Sequence, residues 1–293
     1  MRVAGFTFIR NAIKYDFPVA ESILSVLPLC DEFYVAVGDS EDNTRELIKT
    51  ISPDKIRIIN TTWSTELQSG GVVYADETNK AFDSIPGEFD WCFYIQGDEV
   101  IHEKFIPVIR KAMKENLNNK EVEGLLMAFR HFYGTYDYVG DSRRWYRNEI
   151  RIIRNDKSIR SYRDAQGFRK NGKKLKVVPV DAEVFHYGWV RHPHYMQQKI
   201  EAVRVHYEGI TIEEASVQAV AEEFNYSGKY DALARFEGTH PAVMQARISR
   251  LNWQVDVDLN RKNMKLRYRI LYWIEKSTGL RLFEYRNYKL VKR

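Results

Sequence analysis

The chain reads as an α/β protein: a mostly parallel sheet flanked by helices, followed by a helical C-terminal extension. Three observations predict this. Over residues 1–130, short apolar runs alternate with helix-spaced segments, the pattern of strands joined by crossover helices. The runs Phe33–Val37 and Trp91–Ile95 are apolar at nearly every position, as strands covered on both faces require. From Tyr195 onward the spacing becomes helical. The expected division is a sheet domain over 1–190, carrying an irregular extension over 131–175, and a helical region over 191–293.

Taken in order, Val3–Ile9 is a strand. Asp16 can cap a helix that starts near Pro18, where proline is tolerated in the first turn, and runs to Leu27. Phe33–Val37 is a strand, Gly38–Asn43 a polar turn, Thr44–Ile51 a helix and Lys55–Asn60 a strand. Val72–Phe82 has helical spacing. Pro86-Gly87 breaks the chain before the buried strand Trp91–Ile95. Glu103–Asn116 is an amphipathic helix and Val122–Phe129 a strand. The segment 131–175 is rich in Tyr, Arg, Asp and Gly, with strand-like pieces at Glu149–Ile153 and, just after it, Lys176–Val178. Helices are expected over Met196–Tyr207, Ile212–Phe224 and from about Pro241 to the end.

The 293 residues are 44% apolar and 29% charged, a globular composition. Two cysteines, Cys30 and Cys92, cannot form a disulfide framework and lack zinc-ligand spacing, so buried reduced thiols are expected. No apolar run reaches the roughly 18 residues of a membrane span, and MRVAGFTFIRN meets charge too early for a signal peptide. A cytoplasmic protein is expected. Charge is uneven: residues 261–293 carry eleven Lys/Arg against Glu275 and Glu284, a local excess of nine, so the first 260 residues are net negative. Interleaved with Leu271, Tyr272, Trp273, Ile274, Leu280, Leu282, Phe283 and Tyr285, this tail could rest on anionic lipid at the inner face of a membrane; the alternative is a solvated terminal helix packed on the domain.

In open α/β sheets ligands bind beyond the carboxyl ends of the strands. Three such ends carry polar groups: Arg10-Asn11, Gly38-Asp39-Ser40-Glu41-Asp42-Asn43-Thr44, and Gln96-Gly97-Asp98-Glu99. The second set, taken alone, favours helix capping. Asp98-Glu99 is different, because two adjacent carboxylates at a strand end repel unless solvated or bound to a cation.

The residues FIRNAIKYDFPVAESILSVLPLCDEFYVAVGDSEDNT (8–44) and DWCFYIQGDEV (90–100) resemble glycosyltransferase family 2, with its Rossmann-like GT-A fold. The resemblance covers about residues 1–130 and extends loosely through His186-Tyr187. It implies an inverting, metal-dependent glycosyltransferase of hexosyltransferase type, acting in bacterial cell-surface polysaccharide or lipopolysaccharide synthesis. It also implies an Asp-any-Asp motif holding Mn²⁺ or Mg²⁺ against a nucleotide diphosphate. Here Gln96 stands for the first carboxylate, leaving Asp98 as the main ligand with His186 as a further one, and the acidic pair that often ends strand two falls at Val37-Gly38. The donor, a UDP- or GDP-sugar, is expected at Arg10, Asn11, Asp39, Asp76, Gln96, Gly97 and Asp98.

Inversion needs a general base within hydrogen-bond reach of the acceptor hydroxyl. The carboxylates between the metal motif and His186 are Asp137, Asp141, Glu149, Asp156, Asp164 and Asp181; Asp164 is preferred, with Glu149 as the substitute. In the aromatic and basic run 131–151, Trp145, Tyr146 and Arg147 suit a carbohydrate or lipid-linked acceptor, since aromatic faces pack on sugars and arginines fork onto phosphates. Gly167–Lys174 resembles a P-loop but lacks its final Ser/Thr, and reads as a basic loop. His192-Pro193-His194 reads as a turn. Two other readings are a non-catalytic nucleotide- or carbohydrate-binding module with a degenerate metal site, and a basic nucleic-acid binder. The sheet-edge carboxylates argue against the latter, and no nucleic acid is expected as a partner.

Overall fold

The computed structural model describes residues 1–67, 69–221 and 223–291, without the side chains of 218–221. The elements are β1 Val3–Ile9, α1 Val19–Val26, β2 Glu32–Val37, α2 Thr44–Ile51, β3 Ile56–Asn60, α3 Val72–Asp83, β4 Trp91–Tyr94, β5 Glu99–Ile101, α4 Ile106–Glu115 and β6 Gly124–Tyr133. There follow β7 Thr135–Gly140, β8 Asn148–Arg154, β9 Ile159–Tyr162, β10 Gly167–Lys170, β11 Lys173–Lys174, β12 Lys176–Trp189, α5 Pro193–Glu208 and α6 Ile212–Ala221. The chain finishes with β13 Leu233–Arg235, α7 Gln245–Ile248, α8 Leu266–Thr278 and β14 Lys289–Leu290.

The α/β architecture expected from the sequence is present. β3, β2, β1 and β4 lie side by side and parallel. Successive residues of these strands enter two different cores. Val3, Ile9, Phe33, Val35, Trp91 and Phe93 pack with Val19, Ile23, Ile48, Ile109 and Met113 from α1, α2 and α4. Ala4, Phe6, Tyr34, Ala36, Cys92 and Tyr94 pack with Ala81 and Phe82 of α3 and with Ile159 and Phe168. Burial on both faces is why these strands are almost wholly apolar. Cys30 and Cys92 are free and buried within these cores.

The sheet continues beyond β4 through β8 and β6, both antiparallel to their neighbours, and β12 runs parallel to β6. This corrects two expectations. Segment 131–175 is not irregular: β8 is a central strand, with Trp91, Cys92 and Phe93 opposite Arg154, Ile153 and Ile152. The basic loop at Gly167–Lys174 is a hairpin of β10 and β11, turned by Asn171-Gly172 at φ of 47° and 74°. Asn-Gly accepts this left-handed backbone readily, so the hairpin signal was present in the sequence.

The C-terminal region is less helical than expected. Among the described residues beyond Pro241 only α7, α8 and a single turn at Ala242–Met244 are helical, while β13 joins β7 and β14 joins the start of β12. The helix expected to reach Phe224 is described to Ala221; Glu222 and residues 292–293 lie outside the described residues. His192 caps α5 by accepting from the His194 amide, and Pro193 occupies the first turn. Among the described residues no helix is long and apolar enough to cross a membrane.

β5 is held by a buried ion pair. Arg151 Nε and Nη2 donate to the two Glu99 carboxylate oxygens at 2.7 and 2.6 Å, and both side chains are fully buried. The Gln96 amide also donates to Glu99 Oε2, closing the turn that carries Asp98. Arg151→Leu strands a buried carboxylate and should cost about 3–5 kcal/mol, read as a lower denaturant midpoint; adding Glu99→Leu should recover much of that loss.

Candidate functional site

A cavity of about 780 Å³ opens at the carboxyl ends of β1 and β4. It gathers Arg10 and Asn11 from the end of β1, Gln96, Gly97 and Asp98 from the end of β4, His186 from β12, and Tyr146, Asp164 and Gln166 from the segment around β8 to β10. Lys199, Glu201, His206 and Tyr207 of α5 form the facing wall.

Sheet register brings His186 to Asp98. β12 pairs antiparallel with β5 so that His186 lies opposite Glu99, and the Tyr187 amide donates to the Asp98 carbonyl at 2.8 Å. β12 also pairs with β6, placing His186 beside His131. A Cβ at Gly188 would sit 2.5 Å from His186 Nε2 and 3.2 Å from Asp98 Oδ2, so glycine there leaves room for the pair.

Asp98 lies within a ring of positive groups. Its Oδ2 accepts from Lys199 Nζ at 3.0 Å and is 3.6 Å from the fully buried Arg191, while Oδ1 is 3.7 Å from His186 Nε2. Burial alone would raise the Asp98 pKa; Lys199, His186 and Arg191 outweigh it and hold the carboxylate well below its usual range. Burial pushes Lys199 down to about 8, with Arg191 adding to the effect and Asp98 opposing it.

The histidine pair fixes its own tautomers. His131 Nε2 faces the Tyr146 carbonyl at 2.8 Å and must donate to it. Burial lowers the His131 pKa to about 3, so the ring is neutral and its Nδ1 accepts from His186 Nδ1 at 2.9 Å. Burial also lowers His186. With its Nδ1 donating to His131, His186 directs Nε2 toward Asp98 Oδ1, 3.7 Å away. One carboxylate and one imidazole supply two donors for a divalent ion that completes its shell with phosphate and water, and His131 orients the His186 ring in the place where metal-bound histidines more often have a carboxylate, a carbonyl or water. Among the described residues no group of three or more His, Cys, Asp or Glu is placed to hold a metal.

Asp164 sits between Arg163 and Ala165, both left-handed at φ of 56° and 62°. Strained non-glycine backbone of this kind is retained where the surroundings impose it. Tyr207 Oη donates to Asp164 Oδ2 at 3.0 Å, leaving Oδ1 for another partner.

Several sequence-selected residues lie elsewhere. Asp39 does not line the cavity: it braces Arg10, with its carbonyl and carboxylate on the guanidinium. Asp76 pairs with Lys80 one turn along α3 and faces away from the cavity lining. The rest of the loop after β2 does not cap α2, which has no side-chain cap; it ties down the turn after β1, with Ser40 Oγ accepting from the Asn11 amide, Thr44 Oγ1 from the Ala12 amide and Asp42 from the Lys14 amide, while Glu41 lines the cavity. The missing acid at position 38 has a steric reason, because a Cβ on Gly38 would lie 2.4 Å from Trp63 Nε1. Trp63 takes that space and lines the cavity.

Glu149, Trp145 and Arg147 line a second cavity of about 300 Å³, which meets the first at Tyr146, Asp164 and Gln166. Sequence reasoning missed Lys199, Arg191 and Tyr207. The available signal was Glu201, a carboxylate one turn before the apolar Val205 on the buried side of α5.

No protein-family model matches the chain, and no curated protein does. Among solved structures the chain is similar to residues 1–349 of S. aureus TarS, at 14% identity and TM-score 0.39, over 73% of this chain and 68% of that one. The form in complex with UDP-GlcNAc gives TM-score 0.40 at 14% identity, over 73% and 69%. Glucosyl-3-phosphoglycerate synthase from Mycobacterium tuberculosis, in complex with Mn²⁺, UDP and glucosyl-3-phosphoglycerate, gives TM-score 0.29 at 18% identity, over 45% of this chain and 44% of that one. The likeness is one of α/β fold class.

Burial raises the Glu149 pKa from 4.5 to about 7, against Arg151 and Asn287, which lower it. An acid raised on folding contributes stability below its unfolded pKa and loses it as pH climbs through the folded value. Between pH 4.5 and 7.5 the wild type should lose roughly 3 kcal/mol relative to Glu149→Gln, at about 1.4 kcal/mol per pKa unit. Melting curves of the two proteins across that range check it.

Proposed function

We propose that the chain is a GT-A glycosyltransferase of the family 2 type, moving a sugar from a nucleoside diphosphate to an acceptor hydroxyl with inversion. The observation that carries this reading is the cavity of about 780 Å³ over the ends of β1 and β4, which has Asp98 and His186 at one corner and Asp164 where it meets the second cavity. In this reading residues 1–190 form the catalytic unit and 191–293 close over it, with α5 as the wall.

The nucleoside lies along the aromatic side formed by Phe8, Tyr15, Trp63 and Tyr74, and the diphosphate at the corner of Asp98. Asp98 and His186 would hold Mn²⁺ or Mg²⁺, whose chemistry when bound is that of a Lewis acid on the diphosphate oxygens. Lys199 and Arg191 fix Asp98 Oδ2 and keep its carboxylate ionised. His131 fixes the ring of His186. Asp164 Oδ1 takes the proton from the acceptor hydroxyl as that oxygen bonds to the anomeric carbon; the bond to the diphosphate breaks, and its electron pair leaves on the phosphate oxygen. Tyr207 holds the other Asp164 oxygen in place.

The C-terminal tail supports a peripheral membrane contact. α8 and the loop after it expose Leu266, Ile270, Trp273, Leu280 and Phe283 beside Arg267 and Arg269. Aromatic and basic groups on one exposed segment suit anionic headgroups.

Uridine and guanosine diphosphate sugars are the first probes, scored by thermal shift with and without Mn²⁺ and then by release of the nucleoside diphosphate. Asp164→Asn should lower kcat by roughly a hundredfold or more while donor affinity is unchanged; full turnover in this variant removes Asp164 as the base. Leu266→Ser with Trp273→Ser should abolish co-sedimentation with phosphatidylglycerol vesicles, and equal sedimentation of variant and parent would end the membrane assignment.

A further inference from the structure

The second cavity carries a charge that the donor reading does not use. Arg143, Arg144, Arg147, Arg163 and Arg281 line it, with Glu149, Asp164 and Glu284 as the carboxylates. Counter-charge is short. Glu275, just outside, is shared by Arg143 at 2.8 Å, Arg281 at 3.4 Å and Arg147 at 3.6 Å, and Arg281 also meets Glu284 at 3.1 Å, so these three arginines share two carboxylates. Among the described residues no carboxylate pairs with Arg144 or Arg163: Arg144 donates to the Lys229 carbonyl and Arg163 rests over the Tyr162 ring.

Two further features point to a ligand. Glu149 is 3% exposed, lines the cavity and has its Oε2 without a hydrogen-bond partner among the described residues. Trp145 Nε1, also in this lining, is buried without a hydrogen-bond partner among the described residues, whereas Arg281 Nε faces Glu284 Oε1 at 3.1 Å. Buried polar atoms are nearly always satisfied, so the two unsatisfied ones in this small lining, Glu149 Oε2 and Trp145 Nε1, mark polar groups that something else meets.

We propose that the second cavity binds the acceptor, and that the acceptor is a phosphate ester of a polyhydroxy compound. Its phosphate lies among Arg144, Arg163 and the under-neutralised trio on Glu275, one hydroxyl meets Glu149, and another reaches Asp164 at the junction of the two cavities. Planar guanidinium forks suit phosphate oxygens, and the aromatic rings of Trp145 and Tyr288 supply faces for the carbon skeleton. This rests on the glycosyl-transfer reading for the role of Asp164, but not for the anion site itself.

Glycerol 3-phosphate and vesicles containing phosphatidic acid are titrated by calorimetry into the full chain, with and without saturating UDP, against glycerol as the uncharged control. Arg144→Gln and Arg163→Gln should each weaken phosphate-ester binding about tenfold with melting temperature unchanged, while Lys111→Ala, an exposed lysine of α4, should not. Loss of affinity for the soluble ester assigns a free phosphate, and loss for the vesicles a lipid-borne one; either result supports the site. Equal affinity of both arginine variants and the parent, or binding of glycerol as strong as that of its phosphate, overturns it. So does expulsion of the phosphate ester by UDP, which would put the anion in the first cavity. Failure of UDP to bind breaks the nucleotide-sugar reading alone, because the titrations without UDP still decide the second cavity.

Discussion

Two carboxylates follow one another at the end of a buried strand, and the site depends on how their repulsion is relieved. Glu99 turns inward to Arg151 in a fully buried pair, and Asp98 turns to Lys199 and Arg191 at the cavity. Each acid thus has its own protein cation. The turn between β4 and β5 is fixed from both sides, because Glu99 also receives the Gln96 amide. Without the buried pair, the turn that carries Asp98 would be held from the cavity side alone, by Lys199, Arg191 and the Tyr187 amide.

The second constraint is strand register. Side chains in a strand alternate faces, so a slip of one residue reverses every one. β12 is read by β5 on one side and β6 on the other, and both pairings meet at His186. The same alignment sets His186 against Asp98, Glu99 and His131. The geometry of the corner is therefore a property of the sheet, and the loops contribute chiefly Asp164, with its strained flanks, and Asn11, itself left-handed at φ 53°.

Much of the parallel half of the sheet was legible in the sequence because burial on both faces leaves uninterrupted apolar runs, as at Phe33–Val37 and Trp91–Ile95. Arg10, Asn11, Gln96, Gly97, Asp98 and Asp164 were legible for a related reason: each lies in a polar segment within two residues of a strand end, whereas His186, expected just after a strand, lies inside β12. β8 was harder to place. Its local alternation marks a strand, but nothing local says that it enters between β4 and β6. Lys199 and Arg191 were invisible as site residues, since a lysine in a helix is ordinarily a solvated one, and only the fold turns it onto Asp98. At Asn171-Gly172 the turn dipeptide that makes the hairpin is overlaid by an incomplete phosphate motif, and the two patterns compete for the same eight residues.

The wall of the smaller chamber formed by Phe283, Tyr285, Asn287 and Tyr288 is encoded far downstream of the loop it faces, and Asn287 is tied to Arg169 by its carbonyl. During synthesis the sheet and the larger chamber can assemble while this wall is still on the ribosome. On the proposed reading, a nascent chain would complete the chamber for the donor before the chamber for the acceptor, and the order of assembly would follow the order in which the polypeptide is made.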